Sequence, residues 1–338
     1  MTRPVRLRTE ERFPDGPLAE AWDRLVREDP AGTVFQEARF LRAWCRHLRG
    51  RCDLRLRFLL DGDEVVGVVP EVRVVRDGVR IARFAGGLHV TDYLGPVSLP
   101  EARERIISRW LDALREEDDW DRLVVAGVVE DAGWAGLIAD GARARGWAVD
   151  GPERLDVCPR IDLRGGWDAY LGRLDAKQRH EIRRKARKLA REAGSVALVD
   201  VPVAELEPAL EDFIAMHRTS PGEKGRFFAD RDVEDFFRAL AKELGHDATM
   251  RIHRLDLDGR PAAMTLSLVD HAEWAIYNSA FDQEWSGLAP GMVLVGEVIR
   301  SAADEGLEVL DLLRGDEPYK YRFGARDRVV QRARATRS

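Results

Sequence analysis

The feature that most constrains this chain is an order of elements that occurs twice. Residues 55–60 and 64–69 flank Asp61-Gly62-Asp63, and residues 72–75 and 79–84 flank Asp77-Gly78. Short apolar runs on either side of an Asp-Gly pair predict β-hairpins, because these residues accept the positive φ of a tight turn. A helix at 100–115 follows, with Ile106, Ile107, Trp110, Leu111 and Leu114 on one face. Then come a buried strand at 123–129 and a helix at 134–145 closed by Gly146. Helices at 17–27 and 35–48 precede the hairpins, and Pro96 distorts a short strand at 93–97. The second half repeats the grammar. A strand at 196–201 leads to helices at 205–218 and 233–244, then to a hairpin of 250–257 and 262–269 around Asp258-Gly259-Arg260-Pro261. A strand at 273–281, a helix at 291–304, a buried strand at 307–313 and a last strand at 329–333 complete it. The repeat is one of pattern, not of residue identity. It predicts two similar α/β domains with mixed sheets in tandem, and 338 residues exceed what one core usually serves. Gly165-Gly166 is the best joint, dividing the chain into 1–164 and 165–338.

Composition narrows the function classes. A net charge of −6 argues against a generic DNA or RNA binder, though not against a local basic patch. The three cysteines, Cys45, Cys52 and Cys158, form no Cys-x-x-Cys pair and accompany no histidine cluster. Neither a disulfide scaffold nor a metal site is expected. The segment MTRPVRLRTEERFP lacks the apolar core of a signal peptide, and no window reaches the ~18 apolar residues of a membrane span. The cytoplasm is the expected compartment.

Three stretches carry candidate chemistry. The strongest is Asp311-Leu312-Leu313-Arg314-Gly315-Asp316-Glu317-Pro318-Tyr319-Lys320-Tyr321-Arg322-Phe323-Gly324. Here a buried strand gives way to charged residues, the place where α/β folds put their chemistry. The plain alternative is a solvated strand-to-helix loop. The second is a helix expected at 167–193. Leu171, Leu174, Ile182, Ala186 and Leu189 make its apolar stripe, and nine lysines and arginines lie between Arg173 and Arg191 with only Asp175 and Glu181 among them. Like charges three and four apart weaken a helix unless an anion neutralises them. Arg179, Arg183 and Arg187 share one line and are the candidates for contacting it; the alternative is a solvated face. The third is Ser286-Gly287-Leu288-Ala289-Pro290-Gly291-Met292-Val293, which opens the helix at 291–304.

The run DLLRGDEPYKYRFG resembles the C-terminal signature of the CelD/BcsL-like acetyltransferases, members of the GNAT superfamily related to the FemAB aminoacyl transferases. Further stretches resemble the same family in the same order: residues 35–44 its N-terminal helix, 66–70 and 92–96 strand segments of its first half, 179–185 its basic central helix, and 290–292 its helix-start turn. The resemblance implies two tandem GNAT-like acyl-CoA N-acyltransferase domains, the first degenerate for donor binding and on the acceptor side. It implies an acyl group moved from acetyl-CoA or another acyl-CoA to an amine. The acceptor expected is a small molecule, an amino sugar or a nucleotide-sugar of envelope polysaccharide synthesis. Two other readings stay open. One is a FemAB-type aminoacyl transferase using aminoacyl-tRNA in cell-wall peptide synthesis, although this chain shows no long helical hairpin of the FemA kind. The other is a non-catalytic ligand-binding or scaffold protein.

On this reading Gly287, Leu288, Ala289, Gly291 and Met292 form the donor turn, where backbone N–H groups and the helix dipole meet a pyrophosphate. The family's motif there is Gln or Arg, two residues, Gly, one residue, Gly or Ala. Gly287-Leu288-Ala289 fits its end, while Gln283 stands one residue too far upstream. Asp311 and Asp316 are the candidate bases for the amine, and Tyr319 and Lys320 the candidate acids for the leaving group. Asp311 lies at the end of an apolar strand, a setting that suits a base, whereas Arg314 beside it offers the opposite outcome, a structural ion pair. Arg314, with His217, Tyr277 and Asn278, is also a candidate for lining the acceptor side; a lone histidine is more often structural. Asp92-Tyr93 is expected at a second cleft in the first domain.

Overall fold

A computed structural model describes residues 5–48, 50, 52–270 and 273–337. In chain order the elements are β1 (Arg6–Glu10), α1 (Pro17–Glu28), α2 (Ala38–His47), β2 (Cys52–Asp61), β3 (Glu64–Arg76), β4 (Val79–Phe84), α3 (Arg103–Glu116), β5 (Arg122–Val129), α4 (Trp134–Ala144) and β6 (Ala148–Asp162). Then follow α5 (Gly166–Arg173), α6 (Ala176–Glu192), β7 (Val196–Asp200), α7 (Leu206–Arg218), α8 (Glu223–Arg226) and α9 (Arg231–Leu244). Last come β8 (Met250–Leu257), β9 (Arg260–Val269), β10 (Glu273–Phe281), α10 (Pro290–Asp304), β11 (Val309–Asp311), α11 (Pro318–Tyr321) and β12 (Arg326–Thr336). The chain divides into two compact units, Met1–Val157 with Arg328–Ser338, and Cys158–Asp327.

In the first unit the strands run in the order β1-β2-β3-β4-β5-β12. Only β4 and β5 are parallel; their neighbours pair antiparallel. In the second unit the order is β7-β8-β9-β10-β11-β6, and again only one pair, β10 with β11, is parallel. Both units therefore hold a mixed sheet with the same sequence of pairings. The last strand of each is taken from the other half of the chain: β6 follows α4 yet its end pairs with β11, and β12 follows α11 yet pairs with β5. Local turn chemistry sets the hairpins. Asp77 and Gly78 take φ 51 and 77, and Asp258 and Gly259 take φ 52 and 73, so both central residues are left-handed as a primed hairpin turn needs.

The core of the second unit lies between its sheet and α10. Val293, Leu294, Val298, Ile299 and Ala302 on the helix pack against Leu255, Leu257, Trp274, Ile276 and Leu310 on the strands. Helix α6 joins this layer through Ile182, Ala186 and Leu189. A Cβ on Gly296 would stand 3.8 Å from Phe323 and 3.9 Å from Ile182, so α6 approaches α10 closely at a glycine.

Several expected elements take a different form. The helix expected at 167–193 is broken at Leu174, which is extended, because Asp175 starts a new helix with a capping box to Gln178. The strand expected at 93–97 reduces to one bridge, Val97 to Val68, with Gly95 at φ 129. Residues 64–76 form one strand through Pro70 rather than two. The strand expected at 307–313 is three residues, Val309–Asp311, because Leu313 turns left-handed at φ 55. Strand β1 has no strong sequence signal and is recruited by pairing with β2.

Candidate active site

The sheet of the second unit opens where its chemistry-bearing residues collect. Strands β10 and β11 pair only through Glu273–Val309, Trp274–Leu310 and Ala275–Asp311. Beyond Ala275, β10 continues to Phe281 with β9 alone at its side, while the other chain leaves the sheet after Asp311. Two parallel strands that part in this way expose backbone groups and leave room for an extended ligand.

The loop after Asp311 is held from both sides. Oδ1 of Asp311 accepts the Leu313 N–H at 2.7 Å, which stabilises a left-handed conformation that a leucine does not favour. Oδ2 of the same carboxylate lies 3.4 Å from Nε of Arg160, and Arg160 also pairs with Glu273. On the other side, Nζ of Lys320 donates to the carbonyls of Leu313, Arg314 and Gly315 at 2.8, 2.9 and 3.0 Å, and lies 2.9 Å from Glu317. Asp311 and Lys320 are 1% and 2% exposed. Both charges thus serve the backbone of residues 313–315. Asp316 is exposed, and Arg314 is half-buried. Tyr319 packs half-buried against the core, and burial, reinforced by Glu317, pushes its phenol above the ordinary tyrosine range. It therefore stays protonated at neutral pH.

A β-bulge shapes the adjoining strand. In the register of β10 on β9, Ile276 faces Ser267 and Asn278 faces Leu266, leaving Tyr277 as the extra residue. The bulge turns two consecutive side chains toward the same neighbours. Tyr277 stacks edge-on with Phe237 of α9 at 5.1 Å, and Asn278 meets His217 of α7. Nε2 of His217 lies 3.1 Å from Oδ1 of Asn278, and the Ser279 N–H donates to that oxygen at 2.9 Å. The amide oxygen being the acceptor, His217 is the Nε2–H tautomer. Its Nδ1 has no hydrogen-bond partner among the described residues. His217 is fully buried amid Phe213, Phe227 and Phe228. Burial, then the Lys224 charge, push its pKa down to about 4, while the Asn278 hydrogen bond acts the other way. The ring is neutral at pH 7.

The turn expected to hold a donor lies between β10 and α10. Residues Gln283–Leu288 wind into a 3-10 turn, and Ala289 takes φ 52 and ψ 51 as the cap of α10. No side chain caps this helix, and Pro290 occupies its first position. In its first turn Pro290 has no N–H, and the Met292 N–H donates to the Ala289 carbonyl at 3.1 Å, so the Gly291 N–H is the one left without an intrahelical acceptor. At Gly287 a Cβ would meet nothing within 4 Å, so the backbone there is open to a ligand. Leu288 and Met292 pack against the core and anchor the turn. Gly291 allows Phe281 to lie close, since an added Cβ would stand 3.4 Å from its ring.

The basic helix reaches this turn through a residue outside the expected line. Nζ of Lys188 donates to the Gly287 carbonyl at 2.8 Å. Arg179 donates instead to the carbonyls of Leu171 and Leu174, closing the end of α5. Arg183 lines a groove of about 130 Å³ between α6 and α10, together with Lys185, Met292, Arg300 and Arg322. Arg187 is exposed and donates to the Arg183 carbonyl. Sequence reasoning singled out neither Arg160 nor Lys188 as functional, because their partners lie far along the chain. No group of three or more potential metal ligands occurs among the described residues. Among them, too, no helix is long and apolar enough to cross a membrane.

Comparison with known proteins agrees with this architecture. Residues 176–321 match the family model described as "Acetyltransferase (GNAT) domain". The whole chain is similar in fold to FemX, with a TM-score of 0.69 at 12% identity over 97% of this chain and 96% of that one. It is also similar to a tandem GNAT protein from the clavulanic acid biosynthesis pathway, with a TM-score of 0.50 at 15% identity over 98% of each chain. The fold is thus the mixed α/β, tandem GNAT arrangement. No curated protein matches the sequence.

Proposed function

We propose that this protein is a cytoplasmic N-acyltransferase that moves an acyl group from an acyl-CoA, acetyl-CoA among them, to an amine on a small-molecule acceptor such as an amino sugar or nucleotide-sugar. The observation that carries the reading is the opening between β10 and β11 beside the uncapped start of α10. Residues 165–338 are the donor and catalytic half in this proposal, and residues 1–164 the acceptor side. Gly287, Leu288, Ala289, Gly291 and Met292 hold the pyrophosphate through backbone N–H groups. Lys188 adds a positive charge at the same turn, and Arg183 and Arg187 extend it along α6. The bound donor supplies an activated acyl carbonyl.

Asp316, exposed at the loop, takes the proton of the attacking amine directly or through water. Tyr319, kept protonated by burial, gives its proton to the departing thiolate. The C–N bond forms as the C–S bond breaks, and the two proton transfers balance the charge. Asp311 and Lys320 hold the 313–315 backbone so that Arg314, Asp316 and Tyr319 keep their places. His217 orients the Asn278 amide from behind, and Asn278 and Tyr277 line the acceptor side. Isothermal calorimetry with coenzyme A and acetyl-CoA tests the reading, and micromolar binding lost in Gly291→Val supports it. A second reading, an aminoacyl-tRNA donor, is favoured by the full-length likeness to FemX. Thermal-shift comparison of acyl-CoA, charged tRNA and nucleotide-sugars separates the two, because a ligand that binds only the native state raises its melting temperature.

A further inference from the structure

The first unit contains a cavity of about 600 Å³ that has no part in the site above. It lies where β4 and β5 separate, after only three pairs, Ile81–Arg122, Ala82–Leu123 and Arg83–Val124. Its size falls within the range of small-molecule pockets, roughly 300–1,000 Å³. The body of the cavity is apolar, built by Trp44, Val74, Ile81, Phe84, Leu94 and Val124. Its charged and titratable lining is Arg76, Arg83 and His89, and no carboxylate lines it among the described residues.

Two buried donors here lack acceptors. Trp44 is 1% exposed, and its indole Nε1 has no hydrogen-bond partner among the described residues. The Nε of Arg83 is likewise buried without one, although its Nη1 donates to the Gly86 carbonyl at 2.7 Å. The guanidinium lies 5.8 Å from the Trp44 ring centroid, so the two groups occupy one corner. Burial disfavours the charge on Arg83; Cys52 acts the other way, and Arg76 adds a smaller effect in the same direction as burial. Buried polar groups are normally satisfied, and an unpaired buried charge is costly. An oxyanion placed in this corner answers both the missing hydrogen bonds and the unbalanced charge.

We propose that the first unit binds an amphiphilic organic anion, with its carboxylate or phosphate between Arg83 and the Trp44 indole and its apolar body along Val74, Ile81 and Val124. The site is argued from residues of the first unit alone, the half given the acceptor side above, and its binding is read without turnover, so it fails or stands apart from the donor site. The test is titration of the ¹⁵N-labelled full chain with octanoate, octyl phosphate and uncharged 1-octanol, following the indole N–H resonance assigned by Trp44→Phe. The expected result is saturable movement of that resonance by the two anions, with 1-octanol at least tenfold weaker. Arg83→Gln weakens the anions about tenfold or more and leaves 1-octanol unchanged, as loss of a charged hydrogen bond requires. The stronger of octanoate and octyl phosphate identifies the head group. Ala126→Trp, which fills the cavity from its wall, abolishes all three and serves as the second variant should Arg83→Gln fail to fold. Equal binding of 1-octanol, no shift at Trp44, or anion binding untouched by both variants overturns the proposal.

Discussion

Lys188 and Gly287 are ninety-nine residues apart, yet the lysine Nζ donates to the glycine carbonyl at 2.8 Å. This one bond joins the basic helix α6 to the turn that opens α10. It places an ammonium beside the N-terminus of a helix, and the two sources of positive potential add. The turn itself is strained at Ala289, and Leu288 and Met292 hold it down.

If that turn binds a pyrophosphate, Lys188→Ala weakens coenzyme A about five- to tenfold, near the value of one charge-assisted hydrogen bond. Arg183→Glu and Arg187→Glu add to the loss, and wild-type affinity falls as salt is raised. Calorimetry at two salt concentrations decides it. Affinity that ignores both charge and salt removes α6 from the site.

Gly291→Val changes affinity far more than stability. The added Cβ sits at 3.4 Å from Phe281, a contact the ring accommodates by a small shift, whereas the branched side chain crowds the first turn of α10. The melting temperature stays within a few degrees while coenzyme A binding is lost. An unchanged dissociation constant would falsify the donor-turn assignment.

Lys320→Met destabilises the protein by about 2–4 kcal/mol, because three carbonyls lose their buried donor at once. Urea unfolding measures this. Asp311→Asn is milder than Asp311→Ala, since asparagine still accepts the Leu313 N–H and only the charge toward Arg160 goes. A variant at Lys320 that unfolds like the wild type would mean that other groups hold residues 313–315.

Asp316→Asn and Tyr319→Phe each lower kcat about a hundredfold on an identified acceptor, the scale of general acid–base catalysis, with melting unchanged. Stopped assays at saturating donor read this. Near-wild-type turnover in both shifts the chemistry elsewhere.

His217 makes stability depend on pH in a defined window. Its folded pKa of about 4 lies below the unfolded value of 6.5. Between those values the unfolded chain binds more protons, so stability rises with pH. The contribution is complete above pH 6.5 and declines as pH falls toward 4, by at most about 3 kcal/mol. His217→Gln flattens that limb of the stability curve and leaves the neutral plateau lowered. A wild-type curve and a variant curve that stay parallel from pH 7 to pH 4 would show that another group titrates.

The hairpins at Asp77-Gly78 and Asp258-Gly259, helix α10 with its proline start, and the paired halves of the chain were legible in the sequence alone. Each rests on interactions within a few residues: a left-handed turn pair, a three-and-four spacing, an alternation of strand and helix. The break at Leu174 was missed: the apolar stripe across it reads as one helix, although Asp175 and Gln178 carry the local signal of a new helix start. What tertiary structure alone decided is which charged groups are already committed. Asp311 has its ion partner at Arg160, Lys320 is closed over three carbonyls, and Arg179 caps α5. The bulge that brings Tyr277 and Asn278 to α7 and α9, and the cavity beside Arg83 and Trp44, likewise have no local signature. A side chain's neighbours along the chain set its conformation, but its hydrogen-bond partner and its burial depend on segments brought close only by packing. The same aspartate or lysine is therefore an acid–base group or a backbone clamp according to contacts that no sequence window contains.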